Sequence, residues 1–378
     1  MRHACQTAIY YFPNYHSDAR NALVHGPGWT EWELVRHATP RWPGHTLPHT
    51  PAWGYADEAD PAEMARKLTA AANHGIDAFI FDWYWYNDGP YLQRCLDEGY
   101  LPAAESSRVK FALMWANHDW TDIHPQKLAE KPRVLYPGAV TRETFDAAME
   151  HVIARYFSRT SYWRLEGRPY FSVYDLPRLI AGLGGIANTA AALRWFRERT
   201  RAAGHPDLHL NLVLWQRGIL AGETSIPVDA AMLSELGFDS LTSYVWIHHV
   251  PLEPFPVMPY LTALRRMLEY SDAIQADFPG FPYFPNVSMG WDPSARTVQS
   301  DVYREIGYPF TGTLGDNTPE NFQHALERMK SWLDRRPAAH RVLTINAWNE
   351  WTEGSYLEPD LRHGFRYLEA VRAVFGSR

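Results

Sequence analysis

The sequence predicts a (β/α)₈ TIM barrel, an α/β fold with extended loops at the C-terminal face of its strands. Three observations carry the prediction. First, eight short runs rich in β-branched and aromatic residues recur, at positions 7–12, 78–84, 110–116, 169–174, 208–215, 240–246, 283–289 and 342–348; such runs read as strands. Second, helical patterns separate them, and repeated strand–helix alternation implies a parallel sheet. Third, eight repeats favour closure into a ring over an open doubly wound sheet. The whole chain, 1–378, reads as one domain, because such barrels run long and no hydrophilic linker interrupts the pattern.

The helix boundaries follow from capping chemistry. Asp60-Pro61-Ala62-Glu63 places a capping carboxylate before a proline at the first helical position, with Glu63 at the third. That helix should stop at Gly75. Thr318-Pro319 opens another in the same way, and 141–159, 189–203, 260–276 and 364–375 also read as helices. The stretch 16–60, dense in Pro, Gly, His and Trp, reads as a wall over the barrel mouth. The segment 246–260 has the same character.

Composition narrows the partners. Hydrophobic residues are 46 % and charged residues 21 %, as in a soluble globule. A net charge of −7 without a Lys/Arg block argues against nucleic acid as partner. No apolar run of about 18 residues suggests a membrane span. Cys5 and Cys95 make neither a disulfide framework nor a metal knuckle and read as free thiols. The N-terminal residues Met1 to Gln6 show no signal-peptide core, so a cytoplasmic location is expected.

The 16 Trp and 21 Tyr residues are the unusual feature. Aromatic rings fill cores, but they also pack against the C–H faces of sugars while indole N–H and phenol O–H groups bond hydroxyls. Their placement favours the second use. In a barrel the active site lies at the C-terminal strand ends. Those ends read Phe81-Asp82-Trp83-Tyr84-Trp85-Tyr86, Met114-Trp115-Ala116-Asn117-His118-Asp119-Trp120, Val173-Tyr174-Asp175, Leu214-Trp215-Gln216, Ser243-Tyr244-Val245-Trp246 and Met289-Gly290-Trp291-Asp292.

The last strand ends Ala347-Trp348-Asn349-Glu350-Trp351-Thr352-Glu353-Gly354. Alternation sends Leu343, Ile345 and Ala347 toward the helices, and Thr344, Asn346, Trp348 and Glu350 toward the barrel interior. Glu353 follows in a turn that Gly354 can help bend. Two neighbouring carboxyls push their pKa values apart, so one can act as acid while the other acts as base. Glycosidic-bond cleavage uses such a pair.

These residues resemble a known family. Ile345 through Gly354, followed by Leu357-Glu358-Pro359, look like the signature of glycoside hydrolase family 99 and its WbsX-type relatives. The WbsX-type resemblance is closer and covers nearly the whole chain. It includes Tyr10-Tyr11-Phe12-Pro13, Gly28-Trp29-Thr30-Glu31-Trp32, Gly54-Tyr55, Gly75 through Tyr86 and Gly290-Trp291-Asp292.

The resemblance implies a barrel enzyme acting on a bacterial polysaccharide or oligosaccharide with retention of configuration. It places a base on Glu350, which deprotonates the sugar's own 2-hydroxyl to form a 1,2-anhydro sugar. It places the acid/base on Glu353. Glu31 is the candidate substrate-binding carboxylate. Trp29, Trp32, Trp83, Trp115 and Trp291 are candidate stacking platforms, and Asn349, Tyr244 and Asp292 candidate hydroxyl ligands. Tyr11, Asp82, Tyr84, Asn117, Trp215 and Trp246 complete the expected substrate-binding set.

Other chemistries find less support. The 17 histidines form no tight ligand motif, so no metal and no cofactor is expected, and a metal-dependent ester hydrolase is the weaker reading. Gly182-x-Gly184-Gly185 lacks the context of a dinucleotide fingerprint. No phosphate cradle supports a sugar-nucleotide transferase, and no G-x-S-x-G elbow supports an esterase. A glycosyltransferase-like polysaccharide biosynthesis protein and a carbohydrate-binding barrel without catalysis remain the alternatives.

Overall fold

The computed structural model describes residues 5–220 and 223–376, so Met1 to Ala4 of the N-terminal reading lie outside the described residues. Eight parallel barrel strands are present: β1 (Gln6–Tyr11), β2 (Ala78–Tyr86), β3 (Lys110–Trp115), β4 (Arg168–Val173), β5 (His209–Val213), β6 (Ser240–Thr242), β7 and β8 (Val342–Asn346). β7 comes in two pieces, Tyr283–Phe284 and Asn286–Ser288. The first pairs with β6 and the second with β8, which in turn pairs with β1. The break falls at Pro285, which has no N–H to give a ladder. Its carbonyl still accepts the Thr344 N–H at 3.0 Å. The ring thus closes through a strand that changes partner at a proline.

The expected helices form. Asp60 caps Pro61–Asn73 by accepting the Ala62 N–H, and Thr318 caps Pro319–Leu333 by accepting the Asn321 N–H. Ile186–Ala202, Tyr260–Asp277 and Arg366–Phe375 match their predicted positions within a few residues. Arg142–Val152 continues through Ile153–Phe157 as a wider helical turn. Beside the wider helical run Cys95–Tyr100 with Leu101–Ala103, which was also not anticipated, four short helices went unread: Ala19–His25, Trp32–His37, Leu176–Leu183 and Ala230–Leu236. Each is only six to eight residues long, too short for a stable 3.6-residue period to emerge from sequence. Among the described residues no single helix is long and apolar enough to cross a membrane. Cys5 and Cys95 are both free thiols.

A buried polar network locks the helix Pro61–Asn73 to the barrel. Lys67, on Pro61–Asn73, donates to the Tyr11 hydroxyl at 2.8 Å and lies 2.7 Å from Glu358 Oε1. Tyr11 donates onward to Glu58 Oε2 at 3.0 Å. Glu58 also accepts the Tyr15 N–H at 2.7 Å, and Glu358 accepts the indole N–H groups of Trp348 and Trp351 at 2.9 and 2.7 Å. Lys67 loses hydration here, but Glu358 and Glu58 more than compensate and hold its ammonium above the usual lysine range.

This network corrects three expectations. Tyr11 points to the helix side of β1 rather than into the mouth, because Tyr10 takes the inward position. Trp348 does not face the barrel interior either. The period-two alternation stops where β8 ends at Asn346, and the indole packs on Phe79 with its N–H on Glu358. Lastly, the stretch 16–60 lines no part of the cleft described below; it buries Glu31 and Glu58 instead.

Lys67→Met is expected to lower stability by about 3–5 kcal/mol, because Glu58 and Glu358 would stay buried without their cation. Urea denaturation of the full chain measures this. A loss under about 1 kcal/mol would show that the network carries no such weight.

Candidate active site

The C-terminal ends of seven strands surround a cleft of about 630 Å³, counted to its open mouth. Phe12 follows β1, Asp82 and Tyr84 belong to β2, and Met114 with His118 comes from β3 and the turn after it. Tyr174, Tyr244 and Trp291 follow β4, β6 and β7, and Glu350 and Glu353 follow β8. Even-numbered positions of β2 and β3 face inward, so Asp82, Tyr84 and Met114 enter the cleft while Trp83 and Trp115 cannot.

Glu350 precedes and Glu353 closes a short helical turn, Trp351–Glu353, that ends at Gly354 in the left-handed conformation, φ 61°. A side chain at Gly354 would strike Asp292, with its Cβ 2.8 Å away. Opposite, a Cβ on Gly290 would lie 2.2 Å from the Gly354 carbonyl oxygen. The two glycines therefore let the loops after β7 and β8 touch. That contact brings Arg296 to the carboxylates.

Arg296 is the centre of the site's charge. Its Nε and Nη2 each lie 2.9 Å from Glu31 Oε1, and Nε also reaches Thr352 Oγ1 at 2.9 Å. Nη1 pairs with Glu353 Oε1 and with the Tyr308 hydroxyl. Nη2 lies 3.9 Å from Glu350 Oε1. Burial disfavours the guanidinium, but Glu31, Tyr308, Glu353 and Glu350 outweigh it and hold the group charged. The same balance acts on Glu31. Burial raises its pKa, yet Arg296, His124 and hydrogen bonds from Thr352 and Asn14 bring it below the usual carboxylate range.

The two expected catalytic glutamates have different partners. Glu353 Oε1 accepts the Tyr308 hydroxyl at 2.5 Å beside its ion pair with Arg296. Glu350 Oε2 accepts Asn346 Nδ2 at 3.1 Å and lies 3.1 Å from the Tyr244 hydroxyl. Burial, then the charge of Glu353, pushes the Glu350 carboxyl well above the usual range, with Arg296 opposing. Asp82 is pushed up as well, chiefly by burial. The cleft histidines are neutral: burial lowers His118 and His124 to about 4 and His248 to about 3.

Of the expected substrate-binding residues, Asp82, Tyr84, Tyr244 and Trp291 line the cleft. The others require correction. Glu31 is fully buried behind Arg296 and positions it. Trp32 packs among Tyr15, Tyr55 and Trp351, and its N–H donates to the Ala56 carbonyl at 2.9 Å. Trp29 stacks on His25 and touches His124 edge-on. Trp83 and Trp115 face the helices, the latter against Phe145. Trp246 is buried against Tyr260.

Asn117 and Asn349 are backbone clamps. Asn117 exchanges hydrogen bonds with Asp175, and Asn349 does the same with Phe12. Trp215 stands one layer back, against Tyr174. Asp292 lies in an adjoining cavity of about 1030 Å³, where its Oδ2 is 2.6 Å from His45 Nε2. Trp291 forms a wall of both cavities.

Reading the sequence missed Arg296, Tyr308, Trp120 and Tyr174 as site residues. Trp120 and Tyr174 stood in the quoted strand ends; Arg296 and Tyr308 had no local signal. Among the described residues no group of three His, Cys, Asp or Glu side chains is placed to hold a metal ion.

A family model described as Glycosyltransferase WbsX matches residues 7–371. The chain belongs to this family. Two curated relatives, the uncharacterized protein WxcX of two strains of Xanthomonas campestris pv. campestris, are 30 % identical over 380 residues. The match takes in 96 % of this chain and 48 % of theirs, so this WbsX-family chain spans about half their length.

Among solved structures, it superposes on the GH99 endo-alpha-mannosidase from Bacteroides thetaiotaomicron with a TM-score of 0.56 at 14 % identity, covering 97 % and 96 % of the two chains. A glycoside hydrolase-like protein gives 0.61 at 13 % identity, covering 99 % and 95 %. These likenesses show the fold: this WbsX-family member is a TIM barrel.

Glu31→Gln is expected to destabilise the chain by about 3 kcal/mol at neutral pH, since a buried ion pair loses one partner. A carboxyl whose folded pKa is depressed contributes stability above its unfolded value near 4.5, and loses it as pH falls through the folded value. The difference between wild type and variant should therefore shrink below about pH 4.5. Urea midpoints measured against pH test this; a constant difference down to about pH 3 contradicts it.

Proposed function

We propose that the chain is a glycoside hydrolase that cleaves a bacterial surface polysaccharide or an oligosaccharide derived from one. The observation that carries this reading is the pair Glu350 and Glu353: two buried carboxyls with different partners, side by side in an aromatic cleft at the end of β8. The fold shared with glycoside hydrolase structures supports it, and the family description supports the coarser reading of a carbohydrate-active chain. The base role for Glu350 and the acid/base role for Glu353 follow the resemblance in the sequence.

In this scheme Glu350 takes the proton of the sugar's 2-hydroxyl, and that oxygen attacks the anomeric carbon. The glycosidic bond breaks as Glu353, protonated on Oε2 for this step while Oε1 stays with Arg296 and Tyr308, passes that proton to the leaving oxygen. Glu353 then takes a proton from water, which opens the 1,2-anhydro sugar, while Glu350 returns its proton to O2. The internal nucleophile has a high effective molarity, and each carboxyl need reach only one oxygen. Arg296 and Tyr308 hold Glu353 by Oε1, so Oε2 is the oxygen assigned to the leaving group. Tyr84, Tyr174 and Tyr244 supply ring faces for the sugar.

The family description also raises transfer. Replacing water by a sugar hydroxyl in the second step gives a transglycosylase from the same residues. A nucleotide-sugar donor fits poorly. Its diphosphate needs uncompensated positive charge. The one cation among the described cleft residues, Arg296, is already engaged by Glu31 and Glu353.

The test is a panel of bacterial surface polysaccharides and α-linked mannans, read as new reducing ends. Wild type should cleave at least one, and Glu350→Gln and Glu353→Gln should each lose on the order of 10²–10⁴-fold in kcat. An aryl glycoside with a good leaving group should restore cleavage to Glu353→Gln, which needs no acid there, and leave Glu350→Gln inactive. Full activity in both variants would overturn the assignment. Glycan binding without turnover by wild type would favour a non-catalytic barrel.

A further inference from the structure

The Tyr244 hydroxyl has more acceptors than protons. It lies 2.9 Å from Asp82 Oδ2 and 3.1 Å from Glu350 Oε2, and all three groups are buried. A phenol carries one proton. If both carboxyls were ionised, one of these contacts would set lone pair against lone pair in a dry site, which is costly. Both contacts are satisfied only if a second proton is present. It sits on Asp82, which then donates to Tyr244 while Tyr244 donates to Glu350, or on Glu350 with both bonds reversed. Asn346 Nδ2 donates to the same Glu350 oxygen at 3.1 Å, a bond that is stronger when that oxygen is charged.

We propose that Asp82 is a proton store for Glu350, with Tyr244 as the relay between them. Moving two protons along the chain converts protonated Glu350 and ionised Asp82 into ionised Glu350 and protonated Asp82. No proton enters or leaves, and net charge is unchanged. Glu350 is thereby a carboxylate when the 2-hydroxyl of the sugar arrives, in a place where burial favours its neutral form. This rests on the base role given to Glu350 above. Asp82 and Tyr244 are positioning residues in the step, since they act through Glu350.

The surroundings are consistent with one shared proton. Tyr15, Tyr84, Arg296 and Glu353 also face Glu350, and Tyr10, Tyr84, Arg296 and Glu353 face Asp82. Arg296 is the one cation in that set and already answers Glu31 and Glu353. Asp82 Oδ1 has no hydrogen-bond partner, so no protein donor stabilises a full carboxylate there.

The experiment is a pH titration of the full chain carrying ¹³C-labelled Asp and Glu carboxyls, followed by NMR. Across the neutral range the Asp82 and Glu350 resonances should both lie between the acid and carboxylate positions and move together. In Tyr244→Phe they should titrate separately, and in Asp82→Asn Glu350 should titrate alone. An Asp82 resonance at the carboxylate position throughout the neutral range in wild type overturns the store.

On a cleaved glycan, Asp82→Asn should raise the acid limb of kcat/KM by about one pH unit or more, because Glu350 must then lose its proton to solvent. A profile merely scaled down, unshifted in pH, marks a structural role and also overturns the proposal. The resonances report on the shared proton whether or not any glycan is cleaved. A failed hydrolase reading and a failed proton store are thus seen separately.

Discussion

The site is organised by one buried guanidinium. Arg296 meets Glu31 and Glu353 directly and lies within reach of Glu350. Buried carboxylates could not crowd together here without it, since an unpaired buried charge costs several kcal/mol. Its placement depends on contacts far apart in sequence. The Asp292 cap starts the turn that carries Arg296, the Gly290–Gly354 approach brings that turn to β8, and Glu31 holds the guanidinium from behind. The same cation fixes one oxygen of Glu353 and leaves Glu350 to a different set of partners. Two glutamates three residues apart thereby become chemically unequal.

The aromatic residues divide between two jobs. Tyr84, Trp120, Tyr174, Tyr244 and Trp291 line the cleft. Trp348 and Trp351, which flank the glutamates in sequence, do not. Their indole N–H groups both end on Glu358, which is itself paired with Lys67. They act as anchors that hold the β8 loop to the barrel's outer layer, so the conformation of the turn that carries Glu350 and Glu353 is set from outside the cleft. The neutral histidines add hydrogen-bonding capacity to the cleft without adding charge, which suits an uncharged polyol more than an anion.

Much of this was legible in the chain. The strands were readable because β-branched and aromatic runs stood between capped helices, and Asp60 and Thr318 marked helix starts by simple chemistry. Glu350, Asp82, Tyr84, Tyr244 and Trp291 could be found from the rule that barrel sites sit at strand ends. That rule does not say which face a strand-end residue takes. Tyr11 and Trp115 were therefore expected in the mouth, although their neighbours Tyr10 and Met114 hold the inward positions. Arg296 could not be read at all. Its partners lie 57 and 265 residues away, and only the folded barrel brings them together. Glu31 was noticed for its motif, but its burial behind Arg296 is a tertiary fact.

The central claim is that Glu350 and Glu353 break a glycosidic bond with the sugar's own 2-hydroxyl as nucleophile. The most direct measurement is proton NMR of the first product formed from a cleaved glycan, read before the anomers equilibrate. The account predicts that the new reducing end carries the configuration of the bond that was cut. An inverted first product would contradict it.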